Sequence, residues 1–316
     1  MNTLSIYRVQ HMNTKVVSAI ALLCLVWGSL WGLVKHSLQI FPPFLFISIR
    51  LILAALTLMI VQFILRKSIL PKRGEWTKLI ISSVMICFGF YATQTFAMQF
   101  VDSGLSAVLV FTMPIFIGVL AHYFLNERLN IQKIIGLILG TLGLVAILWP
   151  QLQHIHMNLS LIGQCFLILS GFFWALTTVY IKKNFASYDK MKLTIWQLLM
   201  GGGVILIGAL AFEPFDFKVW LSPLNDSMLF YIAVVGTGFA FVLWNWIVSQ
   251  VDTFIASISI MCIPILSLFF GAVIWDEALT SNVIIGAIFI CLGIILSSLK
   301  IKAQKQSINS FHNQSH

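Results

Sequence analysis

The sequence predicts an all-α integral membrane protein: ten transmembrane helices in two inverted five-helix repeats, with both termini cytoplasmic. Three observations lead there. The chain is apolar and divides into runs of membrane-spanning length, its basic residues fall almost entirely on one side, and its two halves align with an odd number of runs in each.

Composition sets the class. Of 316 residues, 59% are hydrophobic and 9% are charged, and the mean hydropathy is +0.98. Soluble domains carry about a quarter charged residues. The formal charge of +9 sits in short basic clusters between apolar runs, which fits cytoplasmic loops and lipid headgroups and argues against nucleic acid. Cys24, Cys87, Cys165, Cys262 and Cys291 all lie inside apolar runs and form no CxxC. They read as buried small side chains, so no disulfide, metal site or cofactor is expected.

A helix needs roughly 20 apolar residues to cross the hydrocarbon layer. The runs that qualify are 16–34, 44–65, 77–99, 104–125, 131–149, 160–181, 193–212, 228–250, 254–275 and 281–299. The first follows Arg8 and Lys15 and is too long for a cleaved leader, so it reads as a retained span. Met1 and Met12 both remain as starts. Backbone in lipid must satisfy its own hydrogen bonds, so each run is a helix. With the N-terminus inside, the internal segments hold Arg8 and Lys15; Arg66, Lys67, Lys72, Arg73 and Lys78; Arg128 and Lys133; Lys182, Lys183, Lys190 and Lys192; and Lys300, Lys302 and Lys305. Outside lie Lys35 and Lys218, and Arg50 falls within a span. This asymmetry fixes the orientation.

Residues 101–145 align on 251–295 without a gap, pairing Asp102 with Asp252, Pro114 with Pro264, Glu127 with Glu277, Gly136 with Gly286 and Gly143 with Gly293. Earlier in the chain the offset is 147, pairing Trp27 with Trp174, Lys35 with Lys182 and Arg50 with Gln197. The expected organisation is a cytoplasmic tail (1–15), a first repeat (16–149), an external linker (150–159), a second repeat (160–299) and a cytoplasmic tail (300–316). Five spans per repeat turn the second upside down, an arrangement associated with carriers whose site lies between the halves.

Trp27-Gly28-Ser29, "SGLSAVLVFTMPIF" (103–116), "NERL" (126–129) and "GLILGTLGLV" (136–145) together resemble the EamA-type drug/metabolite transporter superfamily. The second half carries "DTFIASISIMCIPIL" (252–266) and "DEALTSNVIIGAIFICLGII" (276–295), with Trp-Ala-Leu (174–176) in place of Trp-Gly-Ser. The resemblance covers residues 16–299. It implies a ten-helix carrier with a central cavity lined by helices one, three and four and their repeat mates. It also implies export of amino acids or other metabolites across the plasma (inner) membrane.

The candidate substrate-cavity residues are Trp27, Arg50, Tyr91, Gln94, Thr95, Trp174, Trp244 and Asn245. Trp27 reads equally as cavity wall and as core. Arg50, charged within a span, either snorkels outward or attracts a substrate carboxylate or phosphate. Tyr91, Gln94 and Thr95 share a helix face, and Gln94 and Thr95 align with Trp244 and Asn245. Gly236 and Gly238 allow close packing or a local break. Pro114 and Pro264 read as kinks. Glu127 and Glu277 read as turn residues able to cap the following helix or pair with a base, with gate latches as the sharper reading. His122 is a candidate proton relay, against a hydrogen-bonded neutral role. No Asp or Glu occupies a span interior. That favours a facilitator, or coupling through His122, Glu127 or the substrate's own charge.

The expected partners are a small-molecule substrate and lipid, with monomer and homodimer both open. The rivals are a membrane enzyme, a channel and a non-transporting scaffold. No HExxH, no GxxxxGK[ST] and no nucleophile–base set within a span supports an enzyme.

Overall fold

The structure is a computed structural model, described for residues 14–125, 131–153, 158–185, 187–214, 222–250 and 260–298. Residues 1–13, Glu127 and residues 299–316 lie outside it, as do the side chains of Pro114 and Asn245. Among the described residues every regular element is helical. Seven helices among the described residues are long and apolar enough to cross a membrane. They are α1 (Thr14–Ser37), α2 (Pro43–Ile64), α3 (Arg73–Ala97), α4 (Ser103–Leu125), α6 (Leu159–Asn184), α7 (Lys190–Phe212) and α8, which runs from Pro223 through Trp244 to Gln250. The shorter apolar stretches fall in α5 (Ile131–Gln153), α9 (Ile263–Trp275) and α10 (Ser281–Ser298).

The surface is apolar and the interior is partly polar. Phe63, Ile64 and Ile207 stand exposed, whereas Ser48, Gln62, Ser82, Gln164, Ser170 and Ser267 are buried. Apolar surface on this scale belongs in lipid, and the chain is an integral membrane protein. Three cysteines depart from expectation, since Cys262 and Cys291 are only partly buried and Cys165 is not buried at all. Cys165 is exposed on α6, because an apolar solvent removes the penalty for a small apolar side chain on the outside.

Repeat mates lie against each other: α2 on α7, α4 on α9 and α5 on α10, while α1 meets α8 as α6 meets α3. The paired mates run antiparallel. Along α5 and α10, Gly143 faces Gly286 while Gly136 and Gly140 face Gly293. A Cβ on Gly286 would sit 2.6 Å from the Gly143 carbonyl oxygen, and the reverse holds for Gly143, so only glycine permits this approach. Along α2 and α7, Gly202 meets Leu51 and the Ser48 carbonyl.

The α2–α7 pair is fastened at both ends. At one end the Glu213 carboxylate accepts from the backbone N–H of Phe44 (2.9 Å) and Leu45 (2.7 Å), closing orphan donors in the first turn of α2. At the other, Gln62 Nε2 donates to Asp189 (3.0 Å). There Trp196 Nε1 also donates to the Ile69 carbonyl (2.8 Å), and Tyr188 Oη donates to Glu75 (3.0 Å).

Two departures from regular α-helix matter for the site. Val84–Ala92 of α3 and Tyr231–Phe239 of α8 are π-helical, and an offset of 147 superposes one on the other. Gly236 and Gly238 fall in the second. Pro114 and Pro264 each head a helical stretch, Pro114 just after an interruption in the middle of α4. Pro264 lies in the first turn of α9, after a short 3₁₀ turn at Ile260–Cys262. In α4 the helix is interrupted at Phe111 and Thr112, and Pro114 opens the second stretch, Met113–Leu125. A missing N–H costs nothing in a first turn, which is where each chain break puts it.

Candidate functional site

The π-helical stretch of α8 is the base of the site. Re-registering a helix shifts its backbone groups away from their usual partners, and such stretches recur at functional sites. Here the indole N–H of Trp27 on α1 donates to the Gly236 carbonyl at 3.1 Å. The Trp27 ring meets Trp244 and Phe241, with centroids 6.2 and 6.3 Å away. One residue further along α8, the Thr237 hydroxyl donates to the Ile232 carbonyl (3.0 Å), five residues back as the π register requires. That leaves the Thr237 oxygen to accept from Arg50 Nε at 3.0 Å.

Arg50 does not snorkel. Its side chain is 6% exposed, and its guanidinium carbon lies 5.6 Å from the centroid of the Tyr91 ring on α3. A cation over an aromatic face is stabilised by the ring quadrupole, more so away from water. Tyr91 meets Phe90 at 4.8 Å, and Phe90 meets Trp174 of α6 edge-on at 4.7 Å. The structure thus links Trp244, Trp27, Arg50, Tyr91 and Trp174 in one belt across both halves. Thr237, Phe90 and Phe241 join it unannounced by the sequence. Gln94 and Thr95 are buried on α3 just beyond the π-helical stretch, and Gln94 Nε2 points at Met98 Sδ (3.7 Å).

The repeat provides a built-in comparison. Gln197 occupies the position matching Arg50, and it faces α3. Its amide donates to Ser82 Oγ, while its backbone carbonyl accepts from Ser83 Oγ (2.7 Å) and Cys87 Sγ (3.2 Å). The same place in the two halves therefore holds a neutral amide in one and a cation in the other.

A second cluster closes the end of the bundle where α4 begins. Glu277, just after α9, sends its carboxylate to the N-terminus of α4, accepting from Ser103 N–H (2.7 Å) and Gly104 N–H (2.9 Å). Of the plain roles the sequence gives Glu277, a cap on the following helix or a pair with a base, the first is not the one made. Instead Asp276 takes a left-handed backbone (φ 53°), and the Glu277 N–H bonds back to the Gly271 carbonyl (3.1 Å). The side chain then folds over Gly271, where a Cβ would overlap it, and reaches the other half. Lys35 Nζ donates to the carbonyls of Met98 (2.6 Å) and Gln99 (3.1 Å) at the end of α3, so it caps a helix C-terminus. Asp102 lies between them. Burial and the Glu277 charge push its carboxyl above the usual range, and Lys35 opposes them in part.

His122 lies edge-on to Tyr123, ring centroids 5.2 Å apart, in the last turn of the second stretch of α4, Met113–Leu125. Pro264 is buried in the first turn of α9.

Comparison with known proteins agrees with this architecture. The model of the EamA-like transporter family matches residues 14–149 and again 161–299. The uncharacterized transporter YoaV of Bacillus subtilis is 34% identical over 291 residues, spanning 92% of this chain and 99% of that protein. A Salmonella typhimurium protein named "Probable amino-acid metabolite efflux pump" is 24% identical over 294 residues, 90% of this chain and 95% of the relative. A crystal structure at 17% identity shares the fold, with a TM-score of 0.66 over 90% of this chain and 96% of that one. With its family model matched in both halves and its helices antiparallel mate to mate, this chain belongs to the EamA-like transporter family.

Proposed function

We propose that the protein is a secondary carrier, not an enzyme, that exports small metabolites, amino acids or related compounds, by alternating access between two inverted repeats. In this reading ten helices span the membrane, and both termini are cytoplasmic. The observation that carries it is the belt of Trp27, Arg50, Tyr91, Trp174 and Trp244. It sits at two repeat-related π-helical stretches, and the sites of carriers built from inverted repeats lie near the midplane. The efflux name of the Salmonella relative supports the direction and the substrate class.

The α2–α7 pair, fastened at both ends, serves as the frame. The helices that rock are α1, α3 and α4 with their mates. Glu277 and Lys35 hold the outer end shut by capping α4 and α3. Glu127 is the repeat image of Glu277, and in this reading it latches the inner end when that end closes. The prolines heading the broken stretches of α4 and α9 mark where each helix bends, and substrate charge or His122 supplies any coupling.

Purified protein in proteoliposomes, preloaded with an amino-acid panel, tests the function. Saturable counterflow of at least one member is expected. No counterflow across a broad metabolite panel would remove the carrier reading.

A further inference from the structure

We infer that Arg50, Thr237 and Tyr91 form a carboxylate seat, so that the substrate is an apolar-bodied carboxylate recognised without any requirement for an amino group. The inference rests on the carrier reading above and narrows it to a ligand chemistry.

Four observations meet here. First, Arg50 is a cation with only 6% of its surface exposed, a placement that is costly unless the charge is matched. Second, its partners among the described residues do not match it. They are one hydroxyl on Nε and one aromatic face. Among the described residues its one hydrogen bond is from Nε to Thr237, which leaves the two outer nitrogens of the guanidinium without a protein acceptor. With Nε held by Thr237, those two nitrogens form the fork that suits a carboxylate bidentately.

Third, the other half shows what this position looks like when it is purely structural. Gln197 is neutral, and both its side chain and its carbonyl are engaged by serines of α3. Packing a helix at this place therefore needs no charge. Fourth, the neighbouring residue of α8, Gly236, anchors Trp27, whose ring meets Trp244 and Phe241. An apolar body held at this aromatic group lies next to the fork. No carboxylate is available in the span interiors to receive an ammonium, since all ten acids lie at or beyond the span ends.

The test is ligand binding to the purified full chain in detergent, read by tryptophan fluorescence and by thermal shift. The probes are 3-phenylpropanoate, phenylalanine, phenylalanine amide and 2-phenylethylamine. The seat predicts that the first two bind and the last two do not. Arg50→Gln should weaken carboxylate binding roughly 10- to 100-fold, and Arg50→Lys should restore part of it by returning charge without the fork. Gln197→Ala, which alters the matching position of the other half, should leave selectivity unchanged and controls for damage to the bundle. Binding of the amide or the amine as tightly as the acids would overturn the seat. So would an Arg50→Gln protein that still selects carboxylates, or a wild-type protein that binds neither acid. Counterflow indifferent to the carboxylate would leave the carrier and remove the seat. Carboxylate-selective binding without counterflow would do the reverse.

Discussion

Single residues show which chemistry sequence can and cannot expose. Arg50 stood out because a charge inside an apolar run is rare, but its partners were invisible. Thr237 and Tyr91 lie on other helices, and neither is unusual in composition. Glu277 was legible as half of a repeated pair, whereas its true target was not, because the α4 N-terminus lies 173 to 174 residues away. Asp189 gives a direct check on residue-level energetics. Burial raises its carboxyl, but hydrogen bonds from Gln62 and the N–H groups of Lys192 and Met191, together with the Lys67 charge, outweigh that and hold it below the usual range. A depressed carboxyl adds stability above its unfolded value, near pH 4, and loses it as pH falls through the lower folded value. Asp189→Ala should therefore cost about 1 kcal/mol at pH 7, through loss of the α7 N-cap. Its deficit relative to wild type should shrink in acid, once the pH falls below the lowered folded value. Thermal unfolding in detergent at pH 7 and below pH 4 measures both.

At the scale of helices, the spans were readable because lipid imposes a length and a polarity on each one. Within about five residues the described helices begin and end where the apolar runs do, except that α9 starts at Ile263, nine residues into the run 254–275, of which 254–259 lie outside the described residues. The π-helical stretches were not readable. Shifting the ladder by one residue changes no composition, and only Gly236 and Gly238 hinted at it. Mate-to-mate packing gives two tests. Gly143→Leu or Gly286→Leu should force α5 from α10, costing about 1–3 kcal/mol or blocking assembly, while a leucine at Gly203, which has open space around it, should be tolerated. Size-exclusion profiles and melting curves of the three variants decide this. The thiols of Cys24 on α1 and Cys262 at the head of α9 are close neighbours between the halves. Mild oxidation should cross-link them and stop counterflow until a reductant is added. Free thiols by mass mapping after oxidation, or a cross-linked protein that still transports, would show that α1 and α9 do not define the closed state.

For the whole molecule, the repeat was the most informative feature. The gapless 150-residue register and the earlier 147-residue one foretold which helices would pair, and α5 with α10 and α2 with α7 do so antiparallel. The asymmetry within that symmetry, Arg50 against Gln197, gives a near-symmetric scaffold one charged wall. If Glu277 and Glu127 latch opposite ends, Glu277→Gln and Glu127→Gln should bias the carrier in opposite directions. The most direct measurement is two-sided labelling of Gln94→Cys in a cysteine-free background, using a membrane-impermeant maleimide applied from either face of sealed vesicles. Access from one face at a time is predicted, with the preferred face exchanged between the Glu277→Gln and Glu127→Gln backgrounds. Equal labelling from both faces at once, or protection in every background, would contradict alternating access through this site.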